Sequence, residues 1–251
     1  MLTILSPTKT MNPPQEVESY GTEPRFIKDT QKIISNIKKL KVKEVGNLMT
    51  MSKSITENTY QQYQELINKP SEDNLSSAVL TYSGESYKAM AATLWNKTIR
   101  KFADDHLCII SGLYGMLRPS DLIQPYRLEM AAKTKEALGQ TLYQFWSKTI
   151  TQQVNTQLDN HKNKILINLA SQEYRKVISK DLAHPVVNIE FKEERSGKLK
   201  VISFNAKRAR GLMTNFIISN RIDTLDEIKK FDQDEYKLHE SSNESTLLFV
   251  R

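Results

Sequence analysis

Cysteine is almost missing from this 251-residue chain: Cys108 is the only one, which excludes an intramolecular disulfide and fits a cytosolic, cytoplasmic setting. It lies in an apolar run, so a buried, inert thiol is expected. The four histidines, His106, His161, His184 and His239, are far apart in sequence, and none has a second ligand type three or four positions on. Spacing therefore offers no metal site, and no cofactor is expected. There is no long apolar stretch and no basic-then-apolar leader, which argues against a membrane span or a secretory signal. Neither a Walker A loop nor a GxGxxG fingerprint occurs, and Ser111 lacks the GxSxG context of a nucleophile elbow. Repeats and low-complexity segments are absent as well.

What remains has the composition of one soluble globular domain, with 39% hydrophobic and 26% charged residues and no evident linker. The net charge is +7 and is unevenly spread. From Lys192 to Gly211 seven Lys or Arg face two Glu, a net +5, whereas Ile222 to Arg251 carries eight acids and four bases, a net −4. The basic stretch suits a polyanion, either nucleic acid or a phosphorylated small molecule.

Apolar runs that end in polar clusters recur along the chain. Met1–Leu5 reads as a buried strand, and SPTKT follows at once, placing Lys9 among hydroxyls just past a strand end, where α/β sheets collect ligand groups. Asn12 to Glu23 reads as an extended excursion, and Pro24 to Lys41 as an amphipathic helix. Val42–Thr50 and Ile55–Ile67 form a helix pair joined by Met51–Ser54. Such a pair can offer backbone N–H groups and a positive helix end to a phosphate. Ser77–Tyr82 reads as a strand and Glu85–Phe102 as a helix burying Leu94 and Trp95. Next comes Leu107–Met130, LCIISGLYGMLRPSDLIQPYRLEM, the most information-dense stretch. A strand ends at Ser111, Gly112 and Gly115 let the backbone turn or approach a neighbour, and Arg118, Asp121, Gln124, Tyr126, Arg127 and Glu129 crowd the loop beyond.

Thr141–Leu158 is a helix, and Lys164–Leu169 a strand ending in NLASQEY. Val186–Phe191 and Leu199–Phe204 read as an antiparallel hairpin about Ser196-Gly197, so the sheet is expected to be mixed. Ala206–Arg221 is a helix whose early Lys207, Arg208 and Arg210 oppose its dipole, which calls for an acidic partner or an anionic ligand; the ligand is favoured. A short helix and a strand at Thr246–Val250 close the chain. If the strands lie side by side, SPTK, the Tyr82-Ser83-Gly84 turn, SGLYGMLRPSD and NLASQEY could converge on one cleft with KRARG at its rim. Cations and hydroxyls there would bind phosphate oxygens, and tyrosines could stack bases.

At SPTKT, SGLYGMLRPSDLIQPYRLEM, NLASQEY and KRARGLM the chain resembles the YaaA family, the bacterial peroxide stress resistance proteins, over nearly its whole length. The resemblance implies a cytoplasmic, single-domain α/β (α+β) protein of unusual topology, with a mixed sheet flanked by helices. It further implies a role in limiting free intracellular iron and DNA damage during hydrogen peroxide stress. It also implies a positively charged cleft and a helix-hairpin-helix-like element, at about 42–67 here, that bind DNA; the link at Met51–Ser54 has no glycine. On that reading the DNA or phosphate contacts are Lys9, Lys53, Arg118, Arg127, Lys207, Arg208 and Arg210, with Tyr114 or Tyr126 available to stack. The alternative is an enzyme acting on a nucleotide or nucleic-acid base, with Lys9, Ser111, Tyr114, Arg118, Glu129 and Tyr174 as catalytic or substrate-positioning candidates. A protein-interaction scaffold with a basic face is a third reading.

Overall fold

The computed structural model describes residues 1–14, 21–66 and 74–251; part of the expected excursion at 12–23, and Ile67, lie outside the described residues. In chain order the elements are β1 (Leu2–Leu5), β2 (Thr10–Met11), α1 (Ile27–Ile37), α2 (Val42–Met49), α3 (Lys53–Glu65), β3 (Ser76–Ser77), α4 (Ala78–Thr81), β4 (Tyr82–Ser83), α5 (Glu85–Met90) and α6 (Lys97–His106). There follow β5 (Leu107–Ser111), β6 (Gly115–Leu117), β7 (Leu122–Ile123), α7 (Lys135–Leu138), α8 (Leu142–Asp159), β8 (Leu166–Asn168) and α9 (Gln172–Arg175). The last are β9 (Val186–Arg195), β10 (Lys198–Lys200), α10 (Ser203–Ser219), α11 (Leu225–Ile228), β11 (Lys237–Leu238) and β12 (Thr246–Val250).

Eight strands form one mixed sheet in the order β11-β12-β9-β8-β1-β5-β6, with β10 on β9. Its centre, β12-β9-β8-β1-β5, is parallel. Antiparallel β6, β10 and β11 finish it. Every residue of β1, β5 and β8 is buried, which is why these strands read as continuous apolar runs rather than as alternating ones: helices cover both faces. The hairpin at Ser196-Gly197 forms as expected, both residues taking positive φ (54° and 70°), the geometry of a tight primed turn. Its second strand stops at Lys200, however, because α10 starts at Ser203, three residues before the expected helix.

Two expectations fail. SAVLTY is not a strand of the main sheet: Ala78–Thr81 is one helical turn between the two-residue strands β3 and β4, which pair with β7 and β2 outside that sheet. Thr81 Oγ1 bonds back to the Ser77 carbonyl at 3.0 Å, the local bonding by which a β-branched run is held in a turn. The helix expected over Glu85–Phe102 is broken. Ala91 adopts φ 49° and ends α5, and Asn96 opens α6 by accepting a bond from Ile99 N at 3.0 Å. In between, Leu94 is 81% exposed, whereas Trp95 is buried with its Nε1 donating to Asn215 Oδ1 at 3.0 Å.

Candidate nucleic-acid interface

Because β1, β5 and β8 are parallel neighbours, their carboxyl ends open on the same edge of the sheet, the place where such folds gather ligand groups. The polar clusters do meet there. Ser171 N donates to Ser6 Oγ at 2.8 Å, and Tyr87 Oη donates to the Ser6 carbonyl at 3.0 Å. Ser83 N donates to Thr8 Oγ1 at 3.1 Å, which brings the Tyr82-Ser83-Gly84 turn to SPTK. Ala131 N donates to Glu173 Oε1 at 3.1 Å, tying NLASQEY to the loop after β5. Gly112 permits the last approach: a Cβ there would stand 2.4 Å from the Leu128 carbonyl oxygen, so only glycine lets the Leu128–Glu129 backbone lie against the end of β5.

Under this edge lies a buried tyrosine network. Ser111 Oγ and Tyr126 Oη are 2.6 Å apart, Tyr126 Oη and Tyr82 Oη 2.8 Å apart, and Ser111 Oγ accepts from Tyr114 N at 2.9 Å. Burial pushes the Tyr126 phenol up to about 12, with the Ser111 and Tyr82 hydrogen bonds pulling the other way. Burial likewise raises Tyr114 and Tyr174. Tyr114 and Tyr126 are each 3% exposed, so neither offers a ring face for base stacking. Their density in the sequence reflects an interior hydroxyl network instead.

The charged groups stand at the mouth. Lys9 Nζ is 2.9 Å and Arg127 Nη2 3.5 Å from the same Glu129 Oε1, neither aligned as a hydrogen bond, and Arg127 Nε is buried without a partner. Two cations therefore share one carboxylate. Tyr63 of α3 donates to the Arg127 carbonyl at 2.8 Å and so fastens the helix pair to this loop. A cleft of about 620 Å³ runs between Lys9 and Arg127 on one side and the Ile55–Glu65 face of α3 on the other. On the far side of the pair a larger cleft of about 1190 Å³ carries Lys43, Lys53, Lys133 and Lys135 together with Glu44, Glu57 and Glu136. Lys43, Lys133 and Lys135 carried no motif that sequence reasoning could flag.

Helices α2 and α3 pack closely, with Gly46 against Thr56. Their link turns at Thr50, which takes φ 51°, a left-handed conformation usually left to glycine. Lys53 opens α3 and is exposed. Elsewhere, Arg118 is engaged within its own loop: Nε donates to Asp121 Oδ1 at 2.8 Å and Nη2 to the Glu23 carbonyl at 2.8 Å. Of the basic helix residues, Lys207 is exposed, Arg208 stands 3.5 Å from Asp234, and Arg210 has a buried Nε without a partner. None of the three lines the two clefts. Because α10 starts at Ser203, they sit past its first residues and oppose its dipole less than expected.

Directly over Tyr126, Glu129 and Tyr174 the enclosed space is only about 10 Å³, room for one water. Among the described residues, no group of three metal-ligating side chains stands in this cleft; one such group lies at the other end of the sheet. No helix of the described residues is long and apolar enough to cross a membrane.

The family profile described as "Peroxide stress protein YaaA" matches residues 1–242. A UPF0246 protein of Francisella philomiragia is 40% identical over 255 residues, covering all of both chains. Others are one from Legionella pneumophila, 40% identical and covering 100% of this chain and 99% of its own, and one from Polynucleobacter necessarius, 40% identical over 95% and 93%. With a match that runs from the first strand into the loop before the last strand and full-length relatives at this identity, the chain belongs to the peroxide stress protein YaaA family.

Proposed function

We propose that this protein acts in the peroxide stress response by binding DNA, thereby protecting it from damage and helping to limit free intracellular iron. The family description supports the stress role. The observation that carries DNA binding is the cationic mouth at Lys9 and Arg127, set beside a helix pair that is flanked by lysine-bearing clefts on both sides. Lys9, Arg127 and Lys53 are the backbone-phosphate contacts of this reading, with exposed Lys207 on a further basic face. Contacts of this kind position nucleic acid without reading its sequence.

The test is fluorescence anisotropy with labelled duplex, bubble and single-stranded DNA over a range of salt. Affinity should fall with salt at roughly 0.9 log units per log unit for each neutralised duplex phosphate. The Lys9→Ala/Arg127→Ala variant should bind more weakly with a shallower slope. Lys207→Ala, which leaves the Arg208–Asp234 pair intact, should weaken binding less and leave melting unchanged. The enzyme alternative draws on the convergence of Lys9, Ser6, Glu129 and Tyr174, but the enclosed space there would not admit a nucleobase without rearrangement.

A further inference from the structure

The edge of the sheet opposite the cationic mouth carries a second cluster. Met1 precedes β1, His106 ends α6 immediately before β5, His161 lies between α8 and β8, and Asp223 follows α10; the fold brings them together across 222 positions of sequence. One ligand atom from each of His106, His161 and Asp223 lies within 4.8 Å of the others.

Both imidazoles are held in one tautomer. His106 Nδ1 is 2.9 Å from the Met1 carbonyl oxygen, and His161 Nε2 is 3.0 Å from the Asp105 carbonyl oxygen. A carbonyl only accepts, so those two nitrogens carry the protons, and His106 Nε2 and His161 Nδ1 present lone pairs. Anchoring the far nitrogen on a carbonyl is how proteins orient imidazoles that ligate metals. The rings are also fixed by packing: His106 stacks on Phe102 with centroids 3.8 Å apart, and His161 meets it edge-on at 4.5 Å. Asn163 Nδ2 donates to Asp223 Oδ2 at 3.1 Å, while the Met1 amino group contacts the other oxygen and stands 3.4 Å from His161 Nδ1, the lone pair an ion would claim in its place. A cleft of about 520 Å³ leads from solvent to the cluster.

We propose that His106, His161 and Asp223 bind a divalent first-row transition-metal ion. Two neutral imidazoles and one carboxylate suit zinc, cobalt or nickel, and fit poorly with the all-oxygen preference of magnesium and calcium. The ion takes the place of the Met1 ammonium as the positive partner of Asp223. Sequence spacing gave no sign of this site, since its two histidines are 55 positions apart and meet only because the strands that follow them are both neighbours of β1.

The experiment uses the full chain, stripped of metal and carrying a histidine-free tag at its carboxyl end so that the Met1 amino group stays as it is. Cobalt(II) titration should give visible d–d absorption that saturates at one equivalent, is displaced by zinc and is untouched by magnesium. His161→Gln and His106→Gln should each weaken binding at least tenfold with unchanged far-ultraviolet circular dichroism. Absence of absorption in the parent protein, or undiminished binding in the double variant, overturns the site and leaves the cluster as a clamp on the first residues. Should the variants misfold, X-ray absorption at the zinc edge of the parent protein decides: two imidazoles per zinc support the assignment, and one or none overturns it.

Discussion

Lys9 and Arg127 share the single carboxylate of Glu129, and that sharing sets the charge the mouth can offer to a phosphate. Glu129→Gln removes the competitor while keeping the shape, so duplex affinity at low salt should rise by a few-fold to tenfold and the salt slope should steepen; anisotropy reads both. Weaker binding would mean that Glu129 orients the two cations rather than competing for them. The tyrosines make a second prediction. Their phenols are neutral in the fold, and burial holds Tyr126 at about 12 and Tyr63, Tyr82 and Tyr87 well above 10. A group whose pKa is raised on folding keeps its full contribution below the unfolded value and loses it as pH rises. Stability should therefore fall above about pH 10, and tyrosinate absorbance should appear together with unfolding instead of ahead of it. The polar residues of this site were legible because hydroxyls and charges follow each buried run. What sequence left open was direction: the planar groups of Tyr114 and Tyr126 read as a surface for bases, yet Ser111 and Tyr82 draw the Tyr126 hydroxyl inward and the Tyr114 hydroxyl accepts from Gln124 N.

The long helix α8 was readable from its period and the central strands from unbroken apolar runs, because the helix packs one stripe and the strands are buried on both faces. Shorter ones were decided by single backbone positions. Ala91 breaks what periodicity joined, and the turn at Thr81 overrides a β-branched run. The helix pair was legible as a pair, but how its link turns without glycine was not. A β-branched residue holds the left-handed conformation at Thr50, a strain of about 1 kcal/mol. Thr50→Gly should relieve it and leave stability unchanged or up to about 1 kcal/mol higher, since the glycine's unfolded-state entropy offsets part of the gain. Thermal melting checks this. A marked loss of stability would show that the Thr50 side chain contributes packing that outweighs its strain.

At the scale of the whole molecule, the basic stretch at 192–211 and the acidic stretch at 222–251 are joined by the Arg208–Asp234 pair at 3.5 Å and by a network about Glu193. Glu193 on β9, only 6% exposed, receives Arg195 Nη2 at 2.8 Å, Arg251 Nη2 at 3.2 Å and Asn205 from α10, and Arg251 continues to Asp234 at 2.8 Å. This network binds the hairpin, the end of β12 and α10 together. Arg195 foremost, then Asn205 and Arg251, holds the Glu193 carboxyl below its ordinary range. A depressed carboxylate contributes stability above its unfolded pKa and loses it as pH falls through the folded value. Glu193→Gln should thus melt lower than the parent at neutral pH, with the gap closing below about pH 4.3. A constant gap across that range would assign the loss to packing.

Charge left unpaired after such networks is what nucleic acid can meet, and we propose that Lys9 and Arg127 mark where it does. The most direct measurement is the salt dependence of duplex DNA binding by the parent protein and by Lys9→Ala/Arg127→Ala. Salt-sensitive binding is expected, with the variant weaker by at least tenfold and its log–log slope lower by roughly 0.9 per lost phosphate contact. Equal affinity and slope in the two proteins would contradict it.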